Sequence, residues 1–177
     1  WVIYSAFGFS GQKCSACSRL ILHTDIYDSF LDRLIEAARS LKLGDPQHPH
    51  VDLGPVIDLH SFTKISNIIN EGKREARLIF QGDLNPDLKN GFFIPPTIFT
   101  DVPWDGTLAN EEIFGPVLTV FRSPDFEHAL ELANHSEFGL TAGLYSRHLN
   151  HIEMAKQKLT VGNIYINRKI TGAMVGR

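Results

Sequence analysis

Residues 117–167, VLTVFRSPDFEHALELANHSEFGLTAGLYSRHLNHIEMAKQKLTVGNIYIN, alternate apolar runs with helical patterns and short turns. Val117 to Phe121 reads as a strand. Ser123-Pro124 reads as a helix cap with proline in the first turn, and Ala129, Leu130 and Ala133 form the buried stripe of the helix that follows. Leu140 to Tyr145 is the next strand, His148 to Leu159 the next helix and Asn163 to Ile166 a third strand. That order predicts parallel pairing through right-handed crossovers, hence an α/β fold built on a mostly parallel sheet with helices on both faces. No glycine-rich phosphate-binding pattern follows a strand here, so the stretch holds no independent dinucleotide site.

Upstream, Leu20-Ile21-Leu22 is a short buried strand, and Thr24 or Asp25 offers an oxygen to cap the helix after it. Phe30, Leu34, Ala38 and Leu41 recur at helical spacing, with an end expected at Gly44-Asp45-Pro46. A second helix is expected to start near Asp58, with Phe62, Ile65, Ile68 and Ile69 on one face, followed by a strand at Leu78-Ile79-Phe80. Phe92 to Phe99 contains Pro95 and Pro96, which delete ladder donors and predict an edge strand or extended segment. His48 and His50 lack the companions that a metal site needs, and His148 and His151 read as surface residues, so no metal is expected.

The chain has 177 residues, enough for one domain with a real core, and 43% of them are hydrophobic against 21% charged, which is ordinary for a globular protein. A formal charge of -3 argues against nucleic-acid or polybasic membrane partners, and no apolar run approaches a membrane span. Two cysteines three positions apart cannot build a disulfide framework, so a reducing compartment is expected: the cytoplasm, or the mitochondrial matrix in a eukaryote. Opening on Trp1 and stopping after a glycine-rich turn, residues 1–177 read as a piece of something longer.

Three stretches carry chemistry. Phe7-Gly8-Phe9-Ser10-Gly11-Gln12-Lys13-Cys14-Ser15-Ala16-Cys17-Ser18-Arg19 sets a cysteine among glycines and small hydroxyl residues, where unusual backbone angles and close approach are cheap. A free thiol titrates near ~8.5, so a working thiolate needs local help, for which Lys13 and Arg19 are candidates. On the residues alone a structural cysteine is the alternative, less favoured for Cys14 than for an average lone cysteine because of its surroundings, and half of a redox pair with Cys17 is another, which would want a strand before it and a helix after. A non-catalytic assembly fragment is a third reading. Asn110-Glu111-Glu112-Ile113-Phe114-Gly115-Pro116 presents a carboxylate at a bend before a buried strand, where an anion could accept hydrogen bonds from a sugar and Phe114 could pack on a flat ring; a surface carboxylate is the alternative. Asn163 to Gly176 ends a strand in a basic, glycine-containing loop, the place where parallel sheets commonly bind ligands, and Gly172 would let a carboxylate reach backbone N–H groups; a plain strand-end turn is the alternative.

Gly11-Gln12-Lys13-Cys14-Ser15-Ala16, with Phe7 ahead of it, resembles the cysteine signature of the aldehyde dehydrogenase superfamily, and Ser5 to Arg19 is most similar to its delta-1-pyrroline-5-carboxylate branch. Glu112-Ile113-Phe114-Gly115-Pro116-Val117, Leu108-Ala109-Asn110, Asn134 and Phe138 to Gly143 also resemble the family, so the likeness runs through most of the chain. The resemblance implies Cys14 as catalytic nucleophile and Cys17 as a structural neighbour. It implies Glu112 at the nicotinamide ribose, Phe114 beside the nicotinamide, and NAD as cofactor with NADP left open. Thr171-Gly172-Ala173 resembles the loop that anchors the carboxylate of glutamate semialdehyde, so Gly172, Ala173 and Ser15 would bind the substrate. It further implies that residues 1–177 are the nucleophile-bearing part of the catalytic domain. The cofactor-binding domain, the oxyanion-hole asparagine and the water-activating glutamate would then lie elsewhere, the parent protein would be a homo-oligomer, and the isolated chain would have little or no activity.

Overall fold

The computed structural model describes residues 1–172. In chain order the elements are α1 (Val2–Phe7), a 3-10 turn (Gly8–Gly11), β1 (Arg19–His23), α2 (Thr24–Arg39), α3 (Leu59–Glu75), β2 (Arg77–Gln81), β3 (Thr97–Thr100), α4 (Thr107–Asn110), β4 (Val117–Ser123), α5 (Phe126–Asn134), β5 (Thr141–Leu144), α6 (Leu149–Lys158) and β6 (Asn163–Ile166). A four-stranded sheet runs β1-β4-β3-β2, parallel except for β2, which pairs antiparallel to β3 at the edge. β5 and β6 form a separate parallel pair.

β4 is central, and Val117, Leu118, Val120 and Phe121 are all buried because both its faces are covered. Its side chains alternate between two cores. Leu118 and Val120 join Phe7 of α1 and Leu34 and Ala38 of α2, while Val117 and Phe121 join Ile65, Ile68 and Ile69 of α3 and Leu132 of α5. Each large apolar side chain withdrawn from water in this way stabilises the fold by roughly 1.5–3 kcal/mol. Helices therefore lie on both faces, as the α/β reading requires.

Several local expectations change. β4 is hydrogen-bonded on both edges, to β1 and β3, so it leaves no edge for β5; the β4-α5-β5 connection joins two sheets rather than neighbours in one. β3 is an interior strand, not an edge. Its prolines stand one step before the ladder, which opens with the Thr97 N–H donating to the Pro116 carbonyl at 2.9 Å, so their missing donors cost nothing. The cap of α2 is His23, whose Nδ1 accepts from the Asp25 N–H at 3.2 Å, while the Thr24 hydroxyl donates to the Ser123 carbonyl at 3.1 Å. That helix stops at Arg39, short of Gly44, because residues 42–44 turn away to bridge residues 52–53. α5 is capped by Asp125, not Ser123, with the His128 N–H donating to its carboxylate at 2.8 Å. Asp58 caps α3 as the sequence suggests.

The carboxylate of Asp58 accepts from the Ser61 N–H at 2.7 Å, and this bond, with the Ser61 hydroxyl, holds it below the usual carboxylate range. A depressed folded-state value means that its stabilisation is complete above the unfolded value of about 3.9 and is lost as pH falls through the lower folded value. Asp58→Ala should therefore lower the thermal midpoint at pH 7, and the gap from the unsubstituted protein should close in acid; melting curves from pH 7 to pH 2 test this.

Gly11 has φ +69, and a Cβ placed there would lie 2.1 Å from the Gly115 carbonyl oxygen. Because the obstruction is backbone rather than a side-chain tip, Gly11→Ala should destabilise by about 3 kcal/mol or more, measured by urea denaturation.

Candidate functional site

The nucleophile loop is shaped by three consecutive left-handed residues, Phe9 at φ 59, Ser10 at φ 54 and Gly11 at φ 69. For Phe9 and Ser10 this conformation is unfavourable by roughly 1 to 2 kcal/mol each, and it persists because contacts around it are numerous. The Ser10 hydroxyl donates to the Gly54 carbonyl at 2.8 Å, the Gln12 side-chain oxygen accepts from the Ile57 N–H at 3.0 Å, and the Cys17 N–H donates to the Ser5 carbonyl at 2.9 Å. Between these anchors Lys13 to Ala16 make a tight turn, closed by the Ala16 N–H on the Lys13 carbonyl at 3.0 Å. Cys14 rides on that turn and is exposed. Its own N–H donates to no group among the described residues, and neither does the Ser15 hydroxyl.

The second loop meets the first backbone to backbone. With no Cβ at Gly11, residues 115–116 pack directly on it, and on the other side Ile65 of α3 fills the space that a side chain at Gly115 would need. Lys64 of α3 donates through Nζ to the Glu112 carbonyl at 2.8 Å, fixing the chain just before the bend. Ile113 is buried, so it acts as the pin. Phe114 takes φ 58, which turns its ring outward to 40% exposure.

Cys14, Glu112 and Phe114 are among the residues that line one cleft of about 980 Å³. Residues 19–23 of β1 and residues 141–144 of β5 flank the same cleft, each strand paired on its other edge only. Ser15 and Gly172 do not line the cleft; Ile170 does. Gly172 has φ +80 with nothing within 4 Å of where a Cβ would be, so its backbone can be approached closely. Ala173 lies outside the described residues. The third loop is tied to the first through Tyr4, whose ring centroid lies 5.7 Å from the Lys13 Nζ and 4.2 Å from the Lys169 Nζ.

Arg19 does not serve Cys14. Its guanidinium donates to the Leu132, Ala133 and His135 carbonyls at 2.9–3.1 Å and caps the end of α5. Burial pushes the Cys17 thiol up to about 11, against the opposing pull of the Arg19 charge and of a backbone hydrogen bond at Arg19. The Cys14 to Cys17 segment follows a helix and leads into a strand, the reverse of the order that a thioredoxin-like pair wants. Asn134 ties α5 to the end of α6: its side chain donates to the Lys158 carbonyl at 2.7 Å and accepts from the Thr160 N–H at 3.0 Å. Among the described residues no three His, Cys, Asp or Glu side chains cluster to hold a metal, and no helix is long and apolar enough to cross a membrane. Sequence reasoning missed Lys64, Ile65 and Tyr4, since a lysine and an isoleucine on an amphipathic helix and a tyrosine on a short one carry no local mark of a site.

The profile of the aldehyde dehydrogenase family matches residues 1–176. A 1-pyrroline-5-carboxylate dehydrogenase from Geobacillus sp. (strain WCH70) is 49% identical over 175 residues, covering 99% of this chain and 34% of that enzyme. Among solved structures, 1-pyrroline-5-carboxylate dehydrogenase from Thermus with bound NAD superposes with a TM-score of 0.92 at 49% identity, over 99% of this chain and 33% of that one. Proline utilization A from Bdellovibrio bacteriovorus gives 0.94 at 48% identity, over 99% and 18%. The chain thus spans about a third of the length of the curated relatives that it matches. By the match along nearly its whole length, and by a thiol, a carboxylate and an aromatic ring brought to one cleft, this chain belongs to the aldehyde dehydrogenase family.

Proposed function

We propose that the protein supplies the nucleophile-bearing part of an aldehyde dehydrogenase that oxidises glutamate semialdehyde, the open form of 1-pyrroline-5-carboxylate, to glutamate. The observation that carries this is that Cys14, Glu112 and Phe114 line one cleft, their loops joined by the Gly11–Gly115 backbone contact. The substrate class is supported by the names of the relatives, and the cofactor by the NAD in the Thermus neighbour. Free thiols and bacterial relatives suit the cytoplasm.

Cys14 thiolate adds to the aldehyde carbon and forms the C–S bond, placing negative charge on the former carbonyl oxygen. The unengaged Cys14 N–H is a preorganised donor for that oxyanion. Glu112 would accept hydrogen bonds from the cofactor's ribose, and Phe114 would pack beside its reactive ring. When bound, NAD would supply the hydride acceptor for the oxidation to the acyl level. Ser15, Gly172 and Ala173 would hold the carboxylate end of the substrate where it extends beyond the cleft that Cys14 lines. A thiol suits both stages because sulfur is nucleophilic near neutrality and its acyl derivative is readily hydrolysed. The oxyanion-hole amide, the base that activates water and the rest of the cofactor site would come from outside residues 1–177, so the isolated chain should not turn over.

In the parent enzyme, Cys14→Ala should lower kcat for NADH formation from glutamate semialdehyde by about 10⁴-fold or more. Glu112→Gln should weaken NAD by roughly 10-fold. Retained turnover without the sulfur would sink the proposal. NADH production by residues 1–177 alone at the rate of a full-length relative would refute the division of labour.

Alkylation separates the two cysteines. Between about pH 7 and 9 iodoacetamide should modify Cys14 and spare Cys17, whose labelling should climb only as pH nears 11; peptide mass mapping reads the ratio.

A further inference from the structure

Trp104 is held by two histidines of one helix. His128 and His135 stand about two turns apart on one face of α5, so roughly 10.5 Å separates them along its axis. The indole centroid lies 5.4 Å from the His128 ring and 5.5 Å from the His135 ring, with interplanar angles of 71° and 74°. Those two distances together just span the gap, which places the indole between the imidazoles, edge to face with each. Both histidines are fixed from behind. The Ser123 hydroxyl donates to the Asp125 carbonyl at 2.6 Å, so its oxygen, 3.1 Å from the His128 Nδ1, accepts there and His128 carries its proton on that nitrogen. The His135 carbonyl takes the Arg19 guanidinium at 3.0 Å.

From Trp104 the connection continues to the cleft. Asn110, the last residue of α4, donates through Nδ2 to the Trp104 carbonyl at 2.6 Å and to the Gly106 carbonyl at 3.2 Å, and the Glu111 N–H closes on the Thr107 carbonyl at 2.9 Å. α4 is a single turn, too short to be stable without such support. Asn110, Glu111 and Glu112 all line the cleft, whereas none of the three rings does. The Glu112 bend thus has two braces, Lys64 of α3 on the Glu112 carbonyl and, on the chain just before it, a turn tied to Trp104.

We propose that Trp104, gripped by His128 and His135, is a positioning residue for Glu112: it anchors on α5 the turn from which that carboxylate projects, a role that rests on the assignment of Glu112 to the cofactor's ribose. In the parent enzyme, Trp104→Leu should speed amide hydrogen exchange across residues 105–111 by about ten-fold or more and weaken NAD about three- to ten-fold. Exchange in β3 and β4 and the iodoacetamide rate at Cys14 should stay as they are. Trp104→Phe, which keeps a flat ring between the imidazoles, should restore most of both losses. His128→Leu with His135→Leu should reproduce them, and adding Trp104→Leu to that pair should change little further, because the three rings act as one unit. Unchanged exchange at residues 105–111, exchange that speeds uniformly through the fold, or losses that simply add would overturn the clamp. NAD affinity unaltered in Glu112→Gln would instead strike at the assignment of Glu112, while the exchange pattern decides the clamp by itself.

Discussion

Two glycines meeting without side chains hold the site together. The backbone of Gly11 rests on the carbonyl of Gly115, at a distance that no larger residue tolerates, and so joins the turn that carries Cys14 to the bend that carries Glu112 and Phe114. Gly11 ends a short 3-10 turn and Gly115 stands in the bend before β4. Their relative position is set by this contact and by what braces it from outside, namely Ile65 against Gly115, Lys64 on the Glu112 carbonyl and Gly54 under Ser10.

Around that junction backbone strain is concentrated. Among the described residues five non-glycine residues have positive φ, and Phe9, Ser10 and Phe114 of these belong to the two loops. Such strain costs of order 1–3 kcal/mol per residue and survives only where the surroundings over-determine it. The surroundings here are two apolar cores on opposite faces of one sheet, each with its own helices. Their rigidity is what lets an exposed thiol and an outward-turned ring keep fixed places on a cleft. The differing states of the cysteines follow from the same layout: Cys14 sits on the tip of a turn, and Cys17, three residues on, is already entering the core beside β1.

Where local reading failed, long-range hydrogen bonding was the cause. The prolines before Thr97 suggested an edge, yet the ladder starts after them and β3 ends up between β2 and β4. The alternation in residues 117–167 suggested successive strands in one sheet, but β1 and β3 already occupy both edges of β4. Arg19 looked like a cation for the neighbouring thiol, and α5, more than a hundred residues later, captured it with three carbonyls. In each case the deciding partner was invisible to a window of a few residues.

What the sequence determined by itself was the element inventory, the apolar faces and the chemical residues: periodicity marks strands and helices, and a cysteine among glycines, a carboxylate before a bend and a glycine in a strand-end loop are local signals. Which loops touch was decided only in three dimensions. Gly11 with Gly115, Lys64 with Glu112, and Tyr4 between Lys13 and Lys169 depend on how helices and strands stack, and packing geometry is a property of the whole chain rather than of any segment.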